Sequence, residues 1–133
     1  MMRNAMIRIA VADDDSDLRE VVATMLERDG HWVEVAANGR ECLTLIDSGT
    51  IDLVVTDVFM PGGDGMSLMA AIRSRQPRLP VIAMTGGMGG LSHPSVDAMK
   101  SAGAQAILAK PFTRQALREA TAQVLAACGS PTR

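Results

Sequence analysis

The most informative part of the chain reads Asp52-Leu53-Val54-Val55-Thr56-Asp57-Val58-Phe59-Met60-Pro61-Gly62-Gly63-Asp64-Gly65. Its apolar and β-branched residues predict a short buried strand, because the turn signal Pro-Gly-Gly follows almost at once. The last residue of that strand, Asp57, would emerge at the carboxyl edge of a sheet, where open α/β proteins bind ligands. An aspartate there is either a turn residue that accepts bonds from backbone amides or a functional carboxylate.

The composition limits the class of protein. A chain of 133 residues forms one domain with a proper core. The net charge of −2 and the lack of a basic run argue against a nucleic-acid partner. Cys42 and Cys128 have no metal-like spacing and indicate free thiols in a reducing compartment. Because Met1–Ala12 is too short and too charged for a signal peptide or membrane span, we expect a cytoplasmic protein with no membrane partner.

Apolar periodicity and turn signals predict strands and helices in alternation. The predicted strands are Met6–Ala12, Trp32–Ala36, Ile51–Asp57, Val81–Met84 and Ala106–Ala109. The predicted helices run from about Ser16 to Gly30, over Arg40–Asp47, over Met66–Arg75 behind a cap at Asp64, over about Pro94–Ala102, and from a cap at Thr113 to about Ala127. This alternation predicts a doubly wound, mostly parallel α/β sheet.

Chemically distinctive residues end or follow four of these strands. Asp13 and Asp14 follow the first, Asp57 ends the third, Thr85 follows the fourth and Lys110 the fifth. Because parallel strands bring their carboxyl ends to one edge, we expect these side chains to lie together. Each has a structural interpretation as a helix cap, a turn hydroxyl or a solvated charge. However, only two of the 13 basic residues are lysine, and the coincidence of all these positions favours a functional site.

The predicted edge would be strongly acidic. Each close carboxylate pair costs about 4 kcal/mol at an effective dielectric near 20, and a hard divalent cation relieves that repulsion. Mg²⁺ suits one or two carboxylates together with waters and a phosphoryl oxygen. Lys110 supplies a point charge and Thr85 a hydroxyl for other phosphoryl oxygens. The residues therefore predict a site that holds a phosphoryl group on Asp57.

These residues resemble a response-regulator receiver domain, the phosphoacceptor half of two-component signalling. The resemblance rests on Ile9–Asp15, Asp57–Gly65, Met84–Gly86 and Lys110–Phe112. Each motif is weak alone, but their order and spacing are specific, and they cover about Met6 to Cys128. The resemblance implies a single receiver domain over residues 1–133 with no output domain. It also implies a flavodoxin-like, five-stranded parallel sheet in the order 2-1-3-4-5.

The resemblance also implies roles for the edge residues. Asp57 would accept the phosphoryl group from the phosphohistidine of a sensor histidine kinase or a histidine phosphotransfer protein. Asp14 and Asp57 would hold Mg²⁺ with the backbone carbonyl of Phe59, and Asp13 would act largely through water. Thr85 and Lys110 would grip the phosphoryl group, and the peptide bond from Lys110 to Pro111 would be cis. Asp15 and Asp17 match no such role and indicate the charged start of a helix.

The implied function is a switch in protein–protein interaction within a phosphorelay. The chain would be a signalling phosphoacceptor that assists its own phosphorylation and dephosphorylation, not an enzyme. Its partners would be the phosphoryl donor and a downstream protein, and it would be a monomer or weak homodimer. Two positions depart from the family pattern: Ile107 replaces the usual aromatic switch residue, and the loop Gly86–Gly90 is rich in glycine.

Two other classes of protein share single features of this sequence. A phosphatase of the haloacid-dehalogenase type also forms an aspartyl phosphate, but it places a second acid two residues after the nucleophile. This chain has Phe59 at that position. A nucleotide-binding domain would depend on Gly86–Gly90, which lacks both a Walker Gly-Lys-Ser/Thr and the dinucleotide spacing.

Overall fold

A computed structural model describes the backbone of residues 6–60, 63–86 and 96–127, and their side chains except at 59, 60, 63–66 and 96. The strands of the main sheet are β1 (Arg8–Ala12), β2 (Trp32–Ala36), β3 (Leu53–Asp57), β4 (Val81–Thr85) and β5 (Ala106–Ala109). The helices are α1 (Ser16–Arg28), α2 (Gly39–Asp47), α3 (Gly65–Arg75), α4 (Val96–Ser101) and α5 (Arg114–Ala127).

The sheet has five parallel strands in the order β2-β1-β3-β4-β5. The predicted fold class and strand order are therefore confirmed. All five residues of the central strand β3 are buried, as its continuous apolar run predicts. Within the sheet Thr56 pairs with Ala12, and Asp57 pairs with Met84. This register places the ends of β1, β3 and β4 side by side.

Helices cover both faces of the sheet, so that successive strand residues enter opposite halves of the core. On one face α2 and α3 pack against alternate strand residues; this half of the core includes Ala10, Ile46, Val54, Ile72, Ala83 and Met99. On the other face α1 and α5 pack against the remaining ones; this half includes Ile9, Val22, Val55, Ile82 and Leu117. The core therefore covers the three central strands β1, β3 and β4 on both faces, and polar groups gather where these strands end.

The helix termini follow the predicted capping chemistry. The side chain of Asp15 accepts hydrogen bonds from the backbone N–H groups of Asp17 and Leu18 at the start of α1. The hydroxyl of Thr113 accepts one from the Ala116 N–H at 3.0 Å, which caps α5. At the end of α4, Gly103 has a φ of +115°, a left-handed conformation that favours glycine. These contacts confirm the helix-start roles of Asp15 and Asp17 and the predicted cap at Thr113.

The structure differs from the predictions at several boundaries. Strand β1 begins at Arg8, so that the predicted start at Met6 is wrong, and Met6 is 67% exposed. A short antiparallel ribbon of Phe59–Met60 and Gly63–Asp64 stands where only a turn was predicted. The predicted cap by Asp64 falls on a side chain outside the described residues. Among the residues that the structure covers, no helix has the length and apolarity that a membrane span requires.

The edge strand β2 carries a small exposed cluster at the amino end of the sheet. The Trp32 ring is half-exposed, and the Arg8 guanidinium lies 4.6 Å from its centroid. The indole Nε1 of Trp32 donates a hydrogen bond of 3.1 Å to Oε2 of Glu34. Val35 is 48% exposed because β2 has a neighbouring strand on one side only. Arg8, Trp32 and Glu34 thus bind one another on one face of the sheet, and an ion pair of 3.8 Å joins Arg8 to Glu34.

Candidate functional site

Three aspartates meet at the carboxyl edge of the sheet. One carboxylate oxygen from each of Asp13, Asp14 and Asp57 lies within 4.8 Å of the others, and we call this group the acid cluster. Asp13 directly follows β1 and is fully buried, while Asp57 ends the adjacent β3 and is 6% exposed. Asp14 is exposed and opens the cluster to solvent. The predicted convergence of these three side chains is confirmed.

Lys110 joins the acid cluster from the far side of the sheet. Its Nζ donates to Oδ2 of Asp57 at 2.8 Å and to Oδ2 of Asp13 at 3.0 Å. Burial alone would lower the pKa of Lys110, but the bonds and negative charges of Asp57 and Asp13 outweigh it and raise the pKa. Lys110 is therefore an ammonium ion at neutral pH. Its ammonium therefore offsets part of the negative charge of the three carboxylates in the resting site.

The backbone after β5 brings Lys110 to this position. The Lys110 N–H donates to the Thr85 carbonyl at 2.7 Å, which ties the end of β5 to the end of β4. The peptide bond from Lys110 to Pro111 is cis, as the resemblance implied. Thr85 is half-buried and stands one residue beyond the Met84–Asp57 register pair. The structure thus brings together the side chains of Asp13, Asp14, Asp57 and Lys110, and the backbone places Thr85 at the adjacent strand end.

The acid cluster has the chemistry of a Mg²⁺ site. Its donors are hard carboxylate oxygens, which this cation prefers, and one member faces solvent, where bound water can complete an octahedron. Asp14 is the exposed member of the cluster, and no donor to its carboxylate lies within the described part of the chain. The predicted ligand Phe59 lies in the short ribbon two residues after Asp57, and its role as a ligand stays a prediction.

Two residues at this edge were missed by the sequence interpretation. Arg19, half-buried on α1, donates from Nη1 to the Asp13 carbonyl at 2.8 Å. Thr56 is fully buried, and its hydroxyl donates to the Asp57 carbonyl at 3.0 Å. Both side chains bind backbone carbonyls, which every residue carries, so residue type gives no signal of the partner. A polar residue inside the otherwise apolar run of β3 was the one available hint for Thr56.

Two predicted features can be compared only in part with the structure. Ile107 is half-buried and packs against the half of the core that contains Ala83 and Met99. The glycine-rich loop continues past Gly86 into residues 87–95, which lie outside the described part of the chain. A role of that loop in switching stays a prediction.

The sequence model of a protein family, the response regulator receiver domain, matches residues 9–122 of this chain. The chain belongs to the response regulator receiver domain family. The resemblance carried by the strand-end motifs is thereby confirmed. Receiver domains are phosphoacceptor modules of two-component systems, and this one has the five-stranded sheet and helices of its relatives.

Known proteins resemble this receiver domain in sequence and structure. The DNA-binding transcriptional regulator NtrC of Salmonella typhimurium is 41% identical over 105 residues, which is 77% of this chain and 21% of NtrC. A receiver domain protein of Clostridium thermocellum superposes with a TM-score of 0.82 at 34% identity, over 92% of this chain and 96% of the other. The chain thus spans about a fifth of the length of NtrC, whose DNA binding is a property of that longer protein.

One solved relative is informative about metal binding. The response regulator TrrA of Thermotoga maritima, in complex with Mg²⁺ and beryllofluoride, has a TM-score of 0.78 and 32% identity, over 90% of this chain and all of that one. That complex shows that a receiver domain of this similarity can bind Mg²⁺.

Proposed function

We propose that Asp57 accepts a phosphoryl group from the phosphohistidine of a sensor histidine kinase or a histidine phosphotransfer protein. A carboxylate oxygen of Asp57 forms the new bond to phosphorus, while the bond from phosphorus to the imidazole nitrogen breaks and the imidazole leaves. The observation that carries this proposal is the position of Asp57. It ends a buried strand, lies in the acid cluster and binds the Lys110 ammonium at 2.8 Å.

Lys110 supplies the fixed positive charge of the reaction. In the resting state its ammonium compensates Asp13 and Asp57. When Asp57 carries a phosphoryl group, the same ammonium can bind a phosphoryl oxygen, because lysine has three donors on a flexible stem. The Thr85 hydroxyl, at the adjacent strand end, would bind a second oxygen. Through these two contacts, phosphorylation of Asp57 would change the surroundings of Thr85 and Lys110 at the ends of β4 and β5.

The acid cluster would hold Mg²⁺ through Asp14 and Asp57, with the Phe59 carbonyl as a further ligand and Asp13 acting largely through water. When bound, the ion supplies positive charge for the phosphoryl oxygens. Asp13 is already bonded to Lys110 and to the Asp15 N–H, which suits a supporting role. Asp14 has no such partners within the described ranges, which suits direct ligation.

Phosphorylation would switch the binding of a downstream protein. We propose that the domain works as a phosphorelay component in the cytoplasm, as a monomer or weak homodimer, without nucleic-acid or membrane partners. It would assist its own phosphorylation and dephosphorylation through the same residues, rather than turn over an external substrate.

Acetyl phosphate with Mg²⁺ tests the proposed chemistry. We expect intact-mass spectrometry to show one added phosphoryl group on the wild type and none on Asp57→Asn, the matched control that keeps shape but removes the nucleophile. Hydroxylamine should release the group, since an acyl phosphate is labile to it. Labelling of Asp57→Asn would contradict the assignment. Multiple turnover on many phosphomonoesters would instead indicate a phosphatase.

A further inference from the structure

Arg19 holds the turn between β1 and α1 at two points. Its guanidinium Nη1 donates to the Asp13 carbonyl at 2.8 Å. Its backbone N–H donates to the Asp15 carbonyl at 2.9 Å. Arg19 thus binds the residues on either side of Asp14, and its bonds within the described residues include none to the Asp14 carboxylate.

Asp14 lies between two peptide groups that are both held in place. The carbonyl of the Asp13–Asp14 peptide is bound by Arg19. The N–H of the Asp14–Asp15 peptide donates to Oδ1 of Asp13 at 3.0 Å. With both peptide planes fixed, the direction of the bond from Cα to Cβ in Asp14 is fixed as well. The held backbone therefore fixes the position of the Asp14 Cβ, from which the exposed carboxylate reaches the acid cluster.

We propose that Arg19 is a positioning residue for the metal site, and that it acts through the Asp13 carbonyl on the ligand Asp14. This inference rests on the proposed function, in which the acid cluster holds Mg²⁺. Residues that orient metal ligands without touching the ion typically change metal affinity by 10- to 100-fold when they are removed. Because Arg19 fixes one of the two peptides, we expect the low end of that range, about tenfold.

Two other roles for Arg19 predict different results. If its positive charge acts only as a nearby field, it repels a cation, and removing it would tighten Mg²⁺ binding. If Arg19 only stabilises the fold, removing it would lower the unfolding midpoint and leave Mg²⁺ affinity unchanged. The positioning role alone predicts weaker Mg²⁺ binding.

The variant Arg19→Met separates these roles, because methionine keeps an unbranched stem but removes both the donor and the charge. The matched control is Arg28→Met, on the last turn of the same helix. The Arg28 side chain makes no hydrogen bond or ion pair with any described residue, and its loss changes the net charge equally. Thermal unfolding of the full chain is measured in EDTA and over a Mg²⁺ titration, and the dissociation constant is obtained from the shift of the midpoint.

We expect Arg19→Met to bind Mg²⁺ about tenfold more weakly than Arg28→Met and the wild type. A double-mutant cycle with Asp14→Asn extends the test, because an effect transmitted through Asp14 should disappear in the Asp14→Asn background. Equal or tighter binding by Arg19→Met, or a full effect of Arg19→Met on top of Asp14→Asn, would overturn the positioning role. A wild type with no Mg²⁺ response would overturn the metal site itself, and the role of Arg19 with it.

Discussion

Replacing Asp14 by asparagine should change the stability of the domain in opposite directions with and without Mg²⁺. In the metal-free state the cluster oxygens lie within 4.8 Å of one another. Two like unit charges at that distance repel each other by about 0.9 kcal/mol in water and by about 3.5 kcal/mol at an effective dielectric of 20. Lys110 leaves Asp14 facing one net negative charge from Asp13 and Asp57, and Asp14 is exposed. We therefore expect the low end of this range: without metal, the free energy of unfolding of Asp14→Asn should exceed that of the wild type by about 1 kcal/mol.

In Mg²⁺ the wild type should instead be more stable than Asp14→Asn. At about 100 times its dissociation constant, a ligand that binds only the folded state adds about 2.7 kcal/mol. Asp14→Asn should lose most of this increment, because an amide oxygen carries no charge. The variant should then be about 1 to 2 kcal/mol less stable than the wild type in Mg²⁺, although it is the more stable protein in EDTA.

Urea unfolding followed by circular dichroism, in EDTA and in saturating Mg²⁺, measures both differences. Glu20→Gln is the matched control, since it removes one exposed negative charge from α1, outside the acid cluster. Its midpoint should respond to Mg²⁺ as the wild type does. An equal Mg²⁺ increment in Asp14→Asn and the wild type would refute the assignment of Asp14 as a ligand. A large loss of stability of Asp14→Asn in EDTA would refute the reasoning on repulsion.

Three further changes test the described contacts. Lys110→Met should destabilise the metal-free domain by about 3 kcal/mol, because it leaves two buried carboxylates without their cation; a urea midpoint close to that of the wild type would contradict this. Burial lowers the pKa of His31 from 6.5, and the opposing charge of Asp29 is the smaller effect. The unfolded chain therefore takes up a proton more readily, and stability should fall as the pH drops below about 6.5. His31→Gln should show a shallower fall of the urea midpoint between pH 7 and 5, and an unchanged slope would exclude His31 as its source. Burial raises the pKa of the Cys42 thiol to about 12, so in a Cys128→Ser background the native protein should not react with Ellman's reagent at pH 8, whereas rapid labelling would show that α2 opens.

The sequence predicted the main sheet and its edge residues because two strong regularities apply there. A buried parallel strand reads as a continuous apolar run, and its carboxyl end is a fixed meeting place with the ends of its neighbours. That rule predicted that Lys110 lies near Asp13, although 97 positions separate the two residues in the sequence. The antiparallel ribbon at Phe59–Met60 was missed because it is only two residues deep, too short to show any periodicity.

Contacts between side chains and the backbone could not be predicted in this way. Arg73, for example, donates to the carbonyls of Pro77, Leu79 and Gly103, and so connects α3 to the end of α4. Every residue has a backbone carbonyl, so the residue type of the acceptor does not reveal that it binds the arginine. The same holds for Arg19 and Thr56. Residue patterns therefore reveal which side chains form the site, and the structure is needed to find the groups that orient them.

Trp32 offers an optical consequence of the way the sheet is built. The chain has one tryptophan and no tyrosine, so Trp32 supplies essentially all of its near-ultraviolet emission. Trp32 pairs with Arg8 at the amino end of β1, and the five-residue rise from Arg8 to Asp13 separates it from the acid cluster by about 16 Å. Its fluorescence should therefore stay constant when Mg²⁺ enters the native site and change only when the sheet comes apart. The chain thus carries a built-in fluorophore that reports unfolding without responding directly to occupancy of the site.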